Sequence, residues 1–170
     1  MNYYLGIDIG VTGALALLDQ NGNLIAVHDM PVLQDGPAGR RTINGILLAQ
    51  LIRTLPPIKE AYIELVGPRP KEGPVGAFAF GRSRGTIEGV LAGLEIPAKN
   101  ISPAAWKRVI GLPPGKDEAK DKSRSEAIRR WPAQADKFKR KKDDGRSDSA
   151  LIGVAGIAKN GAKVDITLDF

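Results

Sequence analysis

The sequence predicts an α/β domain built on a mixed five-stranded sheet that is flanked by helices. Two observations predict it: three short apolar runs follow one another at the N-terminal end, and two later apolar runs alternate with segments of helical spacing. A chain of 170 residues can bury one sizeable core but is short for two. We therefore expect one domain over residues 1–170.

The first three strands are predicted at residues 3–8, 13–19 and 23–29, where glycine-containing turns separate the apolar runs. Their hairpin-like succession makes them antiparallel neighbours in one sheet. Residues 30–41 are rich in Pro, Gly and Arg and are predicted to form a loop.

Helices and strands then alternate along the rest of the chain. We expect a helix from Thr42, as N-cap, to Leu55 and a fourth strand from Lys59 to Val66. The remaining predicted elements are a helix over 76–94, a strand over 96–101, a short helix from Ser102 through Trp106, a basic helix over 116–131 and a final helix over 147–159, with 160–170 as a tail. Glycines at 81, 85, 89 and 93 recur every four positions, which permits close helix packing inside the monomer or in a dimer.

Composition excludes several classes of protein. The chain has no cysteine, so neither disulfides nor Cys-ligated zinc is possible. No apolar run is long enough to span a bilayer, and no basic leader precedes the first strand. These features are typical of a protein of a reducing, cytoplasm-like compartment without membrane partners.

The positive charge is concentrated in the C-terminal third. The net charge is +6, and Lys116 to Arg146 contains twelve Lys and Arg residues against seven Asp and Glu residues. A charge run of this kind is often only a solvated loop. Here it runs directly into acids, and positive charge beside a carboxylate cluster suits a polyanion held next to cations, so nucleic acid is the favoured partner.

Four carboxylates lie where an ordinary core would avoid them. Asp8 ends the first strand, Glu64 lies near the end of the fourth, and both acids reach one sheet edge if these strands are parallel neighbours. Asp144 and Asp148 are four residues apart at the start of the last helix, with Asp143 as an alternative to Asp144. Such oxygen donors select Mg²⁺ or Mn²⁺, and two such ions can promote phosphodiester hydrolysis.

These positions resemble the RuvC-type Holliday junction resolvases, most closely their short phage-like relatives. The resemblance is carried by four segments: Leu5-Gly6-Ile7-Asp8-Ile9-Gly10, Tyr62-Ile63-Glu64, Ser102-Pro103-Ala104-Ala105-Trp106-Lys107 and Asp144-Gly145-Arg146-Ser147-Asp148. It implies an RNase H-like fold, a cytoplasmic location in a bacterial host or from a phage, and a homodimer that nicks four-way DNA junctions symmetrically with two Mg²⁺ ions per site.

The resemblance also implies roles for individual residues. Asp8, Glu64, Asp144 and Asp148 would bind the metal, and Lys107 and Lys122 would hold the scissile phosphate or offset transition-state charge. Bacterial members place the last two acids three residues apart, which would put Gly145 in the third position, so the choice between Asp143 and Asp144 stays open. The expected DNA-binding residues are Arg69, Lys71, Phe78, Lys116, Lys122, Arg124, Lys137, Lys139, Arg140, Lys141, Lys142 and Arg146.

Three alternatives remain open from the sequence. The fold could serve a nuclease for RNA–DNA hybrids or branched or flap DNA, or a junction-binding protein without activity. The run from Asp8 to Gly13 also resembles the first phosphate loop of actin-like and sugar-kinase ATPases. His28 is the one histidine, and we interpret it as an edge-strand residue without a catalytic role.

Overall fold

The computed structural model describes residues 1–36, 39–65, 67, 73–113 and 117–160, and of 117–120 only the backbone. Seven strands and five α-helices lie within these ranges. The strands are β1 (Tyr3–Asp8), β2 (Ala14–Asp19), β3 (Leu24–Asp29), β4 (Val32–Gln34), β5 (Arg41–Ile43), β6 (Ile58–Glu64) and β7 (Ala98–Ile101). The helices are α1 (Gly45–Arg53), α2 (Pro74–Gly93), α3 (Pro103–Ile110), α4 (Asp117–Arg130) and α5 (Asp144–Lys159).

The central sheet has five strands in the order β3-β2-β1-β6-β7. β1 pairs antiparallel with β2, and β2 with β3, as the three successive apolar runs predict. β1 pairs in parallel with β6, which in turn pairs in parallel with β7. The mixed five-stranded sheet and the parallel β1–β6 pair are therefore confirmed, and His28 lies on the edge strand β3.

The two faces of the sheet bury two separate cores, because successive side chains of a strand point to opposite sides. Leu5, Ile7 and Ile63 face one side, where they pack with α1 and α2. Tyr4 and Tyr62 face the other side, where they pack with α3, α4 and α5. A side chain's position in the strand thus decides which helices it meets.

Helix α5 lies directly on β1 because both elements carry glycine at the contact. A Cβ atom at Gly6 would overlap the carbonyl oxygen of Ser149 and the backbone of Gly153, and one at Gly153 would overlap the Leu18 side chain. Backbone therefore packs on backbone. Every residue of α5 from Ser149 to Ile157 is buried, so this helix is the centre of the second core.

Several predicted boundaries were wrong. Thr42 is not the cap of α1: it belongs to β5, and the Asn44 side chain accepts the hydrogen bond from the Leu47 amide at 3.1 Å. The predicted loop over 30–41 contains β4 and the first residue of β5, and the two strands pair as a hairpin. α3 continues past Trp106, and α5 begins three residues before Ser147. Residues 161–170 lie outside the described residues.

Within the described residues, no helix is both long enough and apolar enough to cross a membrane.

Candidate active site

Asp8 and Glu64 lie side by side at the C-terminal ends of the parallel strands β1 and β6. Ile7 and Ile63 are register partners on these strands, and each acid is the next residue along its strand. Because Ile7 and Ile63 face α1 and α2, the alternation of the strand turns both carboxylates toward the face covered by α3, α4 and α5. The parallel pairing thus delivers two acids to the same place.

Helix α5 brings two further acids to this face. Asp144 is its first residue and Asp148 lies four residues later, so one turn of helix presents both. Asp143 is instead buried, and its carboxylate is already hydrogen-bonded within the protein. It accepts hydrogen bonds from the Arg140 backbone at 2.9 Å and from the Arg140 guanidinium at 2.8 Å. This pairing holds the pKa of Asp143 below its usual value even though burial opposes the shift. The geometry favours Asp144 over Asp143 as the third acid.

Burial strongly perturbs the carboxylate of Asp148. Burial, with smaller contributions from the charges of Glu64 and Asp144, raises the pKa of Asp148 to about 6, although a hydrogen bond from Ser123 and the charge of Lys107 oppose the shift. Its Oδ1 atom is buried and has no hydrogen-bond partner among the described residues. A buried oxygen without a donor, beside two more acids, suits a cation as its missing partner.

Each of the neighbouring acids has a protein partner. The Trp106 indole donates to Glu64 Oε1 at 2.7 Å, and the Arg124 guanidinium lies 3.4 Å from Asp144 Oδ1. In the described part of the chain, no three His, Asp or Glu side chains are arranged closely enough to hold a metal ion as they stand. The donor set, oxygen without nitrogen or sulfur, nevertheless fits Mg²⁺ or Mn²⁺, and Asp148 Oδ1 offers a ligand atom.

Lys107 connects the acids to a cavity between α3 and α4. Its ammonium lies 5.6 Å from the centre of the Trp106 ring, and its charge acts on Asp148. The cavity has a volume of about 920 Å³ and also exposes Lys122, so the structure brings both predicted phosphate-binding lysines to one opening beside the carboxylates. Arg108 and Arg129 line the same cavity and were missed by the sequence analysis.

Several of the predicted DNA-binding cations form ion pairs with acidic residues of this chain. Arg146 forms two hydrogen bonds to Asp29 at 2.6 and 2.7 Å, Lys139 pairs with Asp136, and Arg140 pairs with Asp143. The Arg124 side chain is only 14% exposed. Lys141 and Lys142 are exposed and Lys137 is half-buried. The DNA contacts assigned to these residues stay predictions.

Phe78 lies near the start of α2 with 74% of its surface exposed, where core packing cannot explain it. The expected contact of Phe78 with DNA stays a prediction, and the exposed position of this side chain suits that contact. Arg69, Lys71 and Lys116, which were predicted to contact DNA, lie outside the described residues.

Two residues that support the acids were not recognised from the sequence. Trp106 is fully buried, and its indole N–H donates to Glu64, which holds that carboxylate in place. Ser123 is buried on α4 and donates to Asp148. Trp106 stands 42 positions after Glu64 and Ser123 stands 25 before Asp148, so no local pattern joins these pairs. One signal was available for Trp106, because its indole N–H needs an acceptor when buried.

If the acids form the metal-dependent nuclease site that the sequence resemblance implies, Trp106→Phe should slow DNA cleavage by about ten-fold, since Glu64 loses the donor that orients it. Trp131→Phe is the matched control: Trp131 is also buried, but its indole donates to the Gly22 carbonyl far from the acids. Single-turnover cleavage and thermal unfolding should be measured for both. Both variants should lose stability, and only the first should lose rate; equal rates would contradict a positioning role for Trp106.

Comparisons with known proteins agree with this architecture. The chain is 30% identical, over 149 residues, to the chloroplastic Holliday junction resolvase MOC1 of Chlamydomonas reinhardtii; the match covers 75% of this chain and 17% of that protein. No family model matches.

Two solved structures share the fold. Thermus thermophilus RuvC in complex with a Holliday junction substrate matches with a TM-score of 0.61 at 14% identity, covering 96% of this chain and 99% of that one. A second structure of Thermus thermophilus RuvC matches with a TM-score of 0.54 at 16% identity, covering 94% and 97%. The chain therefore has the RNase H-like fold of RuvC and resembles the chloroplastic Holliday junction resolvase MOC1 in sequence.

Proposed function

We propose that this chain is a metal-dependent crossover junction endodeoxyribonuclease that resolves four-way DNA junctions by paired symmetric nicks. The observation that carries the proposal is that the parallel β1–β6 pair and the first turn of α5 bring Asp8, Glu64, Asp144 and Asp148 to one face of the sheet. The similarity to the Chlamydomonas resolvase and the fold of RuvC support the junction as substrate. The chain spans about a sixth of the length of the Chlamydomonas protein, so activity, substrate and partners are all proposed.

The residues of the site have distinct proposed tasks. Asp8, Glu64, Asp144 and Asp148 would hold two Mg²⁺ ions, for which Mn²⁺ can substitute. When bound, such ions activate water and neutralise charge on the phosphate. Trp106 and Ser123 orient the carboxylates of Glu64 and Asp148. Lys107 and Lys122 would hold the scissile phosphate, whose phosphorus gains a hydroxyl from water while the bond to the leaving oxygen breaks and that oxygen takes a proton.

We also propose a homodimer, because paired nicks need two active sites. The open face of α2, defined as Gly81, Gly85 and Gly89, supports it. These residues follow one another at helical spacing, and all three are exposed. A Cβ atom at any of the three glycines would meet nothing within 4 Å, so tight packing inside the monomer does not explain them.

Gly85→Gln is expected to separate dimer formation from folding. The new side chain has open space in the monomer and raises helix propensity, so the free energy of unfolding should stay level or increase by up to about 1 kcal/mol. The same side chain would hold a partner helix away, so the dimer should dissociate. Sedimentation velocity and thermal unfolding, measured together, test this. A variant that remains as dimeric as the wild type would contradict the open face of α2 as the interface.

The substrate is tested by nicking assays on a mobile four-way junction, a Y-fork and an RNA–DNA hybrid, each with Mg²⁺ and with EDTA. We expect symmetric nicks in the junction only, and only with the cation. Cleavage of the hybrid but not the junction would support the nuclease alternative, and junction binding without cleavage would indicate an inactive junction-binding protein.

A cytoplasmic location, in a bacterial host or as a phage protein, belongs to the same proposal. The similar Chlamydomonas protein is chloroplastic.

A further inference from the structure

Three arginines surround a cavity that was not predicted from the sequence. It lies between the β4–β5 hairpin and the start of α2 and has a volume of about 510 Å³. Arg40 and Arg41 come from the hairpin and Arg82 comes from α2. The lining also includes the apolar side chains of Val11, Val75, Phe78 and Phe80 and the polar side chains of Asp35, Thr42 and Ser83. Positive charge is therefore combined with apolar and aromatic surface in one concave site.

The hairpin arginines are not engaged by acids of the protein. Arg40 and Arg41 are exposed, and neither has an ion-pair partner among the described residues. Arg82 lies 2.5 Å from Asp35, but both side chains are about half exposed, and a pair of this kind contributes little to stability. This differs from the C-terminal basic segment, where Lys139, Arg140 and Arg146 each have an acidic partner.

The cavity lies at the same end of the sheet as the candidate active site. Val11, in its lining, is three residues beyond Asp8 in the turn between β1 and β2. The Met30 amide donates to the Gly13 carbonyl at 2.9 Å, and this bond ties the chain that enters the hairpin to the same turn. A ligand in the cavity would therefore sit beside the strand end that carries Asp8.

Charge and shape together identify the occupant. A guanidinium group can bind a phosphate through two parallel hydrogen bonds, and aromatic surface next to such cations suits unstacked bases. Neither Arg40 nor Arg41 needs to leave a partner before binding, and a phosphate can displace Asp35 from Arg82. The hairpin arginines are thus prepared for an anion, as are the exposed Lys141 and Lys142 of the C-terminal basic segment.

We propose that Arg40, Arg41 and Arg82 form a second DNA-binding surface, which holds backbone phosphates of the junction next to its branch point. This inference rests on the proposed function and names a part of its substrate contact. It places DNA on two sides of the carboxylates: the hairpin on one side, and Lys107 and Lys122 on the other.

The test uses the double variant R40A/R41A and, as charge-matched control, R53A/K59A. Arg53 and Lys59 are also exposed, but they lie near the start of β6, at the opposite end of the sheet from Glu64. Junction affinity is measured by fluorescence anisotropy in EDTA at several salt concentrations. Loss of two phosphate contacts should raise the Kd roughly 10- to 100-fold near 0.1 M salt and reduce the salt slope by about 2. The control should change the Kd by less than about three-fold.

A gain-of-binding variant makes the test independent of folding defects. Asp35→Asn removes the acid that competes for Arg82, so the junction should bind about three- to ten-fold more tightly. The inference is overturned if R40A/R41A binds like its control or if Asp35→Asn binds no better than the wild type. Failure of the proposed function would be seen separately, as wild-type protein that does not cleave a four-way junction in Mg²⁺.

Discussion

Replacement of Asp8 with asparagine is expected to reduce junction cleavage by about 1,000-fold or more while junction binding changes by less than about two-fold. The substitution keeps the shape of the side chain but removes a charged ligand from the proposed cation site. A loss of this size corresponds to about 4 kcal/mol of transition-state stabilisation, which is in the range supplied by a bound metal ion. Single-turnover nicking in Mg²⁺ and anisotropy in EDTA measure the two quantities.

Asp29→Asn is the matched control for Asp8→Asn. Both residues end strands of the same sheet, and both pair in register with Ala14, from opposite sides of β2. Asp29 is 68% exposed and binds Arg146. We expect the control to cleave within about three-fold of the wild-type rate. Full nicking activity in Asp8→Asn would contradict the proposed mechanism.

Asp148→Asn is expected to stabilise the metal-free protein while abolishing cleavage. The raised pKa of Asp148, about 6 against 3.8, means that the folded state favours the protonated carboxyl. Ionisation of this group at pH 7.5 therefore costs the folded state roughly 3 kcal/mol, and asparagine avoids part of that cost. In EDTA at pH 7.5 we expect the free energy of unfolding to increase by about 1 to 3 kcal/mol.

The pH dependence of this gain follows from the sign of the shift. Below about pH 3 the Asp148 carboxyl is protonated in both the folded and the unfolded states, so the gain from asparagine should disappear, and at pH 4 it should be small. As the pH rises from about 3 to 6, the unfolded state loses the proton first, and wild-type stability falls relative to Asp148→Asn. Urea unfolding in EDTA at pH 4, 6 and 7.5 measures this difference.

Asp136→Asn serves as the control, because Asp136 lies on the surface with 88% of its side chain exposed. Its stability profile should parallel that of the wild type. A constant difference between Asp148→Asn and wild type from pH 4 to 7.5 would argue against burial as the source of the Asp148 shift.

Local patterns were sufficient to predict the sheet and the acids. The apolar runs that end at Asp8 and Glu64 predicted the strands, whereas the parallel pairing of β1 with β6 entered only as a condition, which the structure meets. The spacing between Asp144 and Asp148 placed both acids on one turn of α5. The choice between Asp143 and Asp144 needed the structure, since it depends on where Arg140 places its guanidinium.

Features built from distant residues could not be predicted in the same way. The β4–β5 hairpin is short and half exposed, so its strands have no apolar alternation that the sequence could reveal. The partners of the cations also depend on tertiary structure: Arg146 meets Asp29 across 117 positions. A run of Lys and Arg therefore predicted where positive charge is concentrated, but not which cations remain available to a ligand.

The contact between Gly6 and Gly153 links the folding of this protein to the spacing of its acids. Asp8 stands two residues beyond Gly6 on β1, and Asp148 stands five residues before Gly153 on α5. Because backbone touches backbone at this point, no side chain is available to rearrange and absorb a change in the distance between strand and helix. Any widening there carries one pair of acids away from the other, so a chain still fully folded by circular dichroism would already lose the proposed cation site. Thermal stability alone is therefore a poor guide to which core substitutions the proposed activity tolerates.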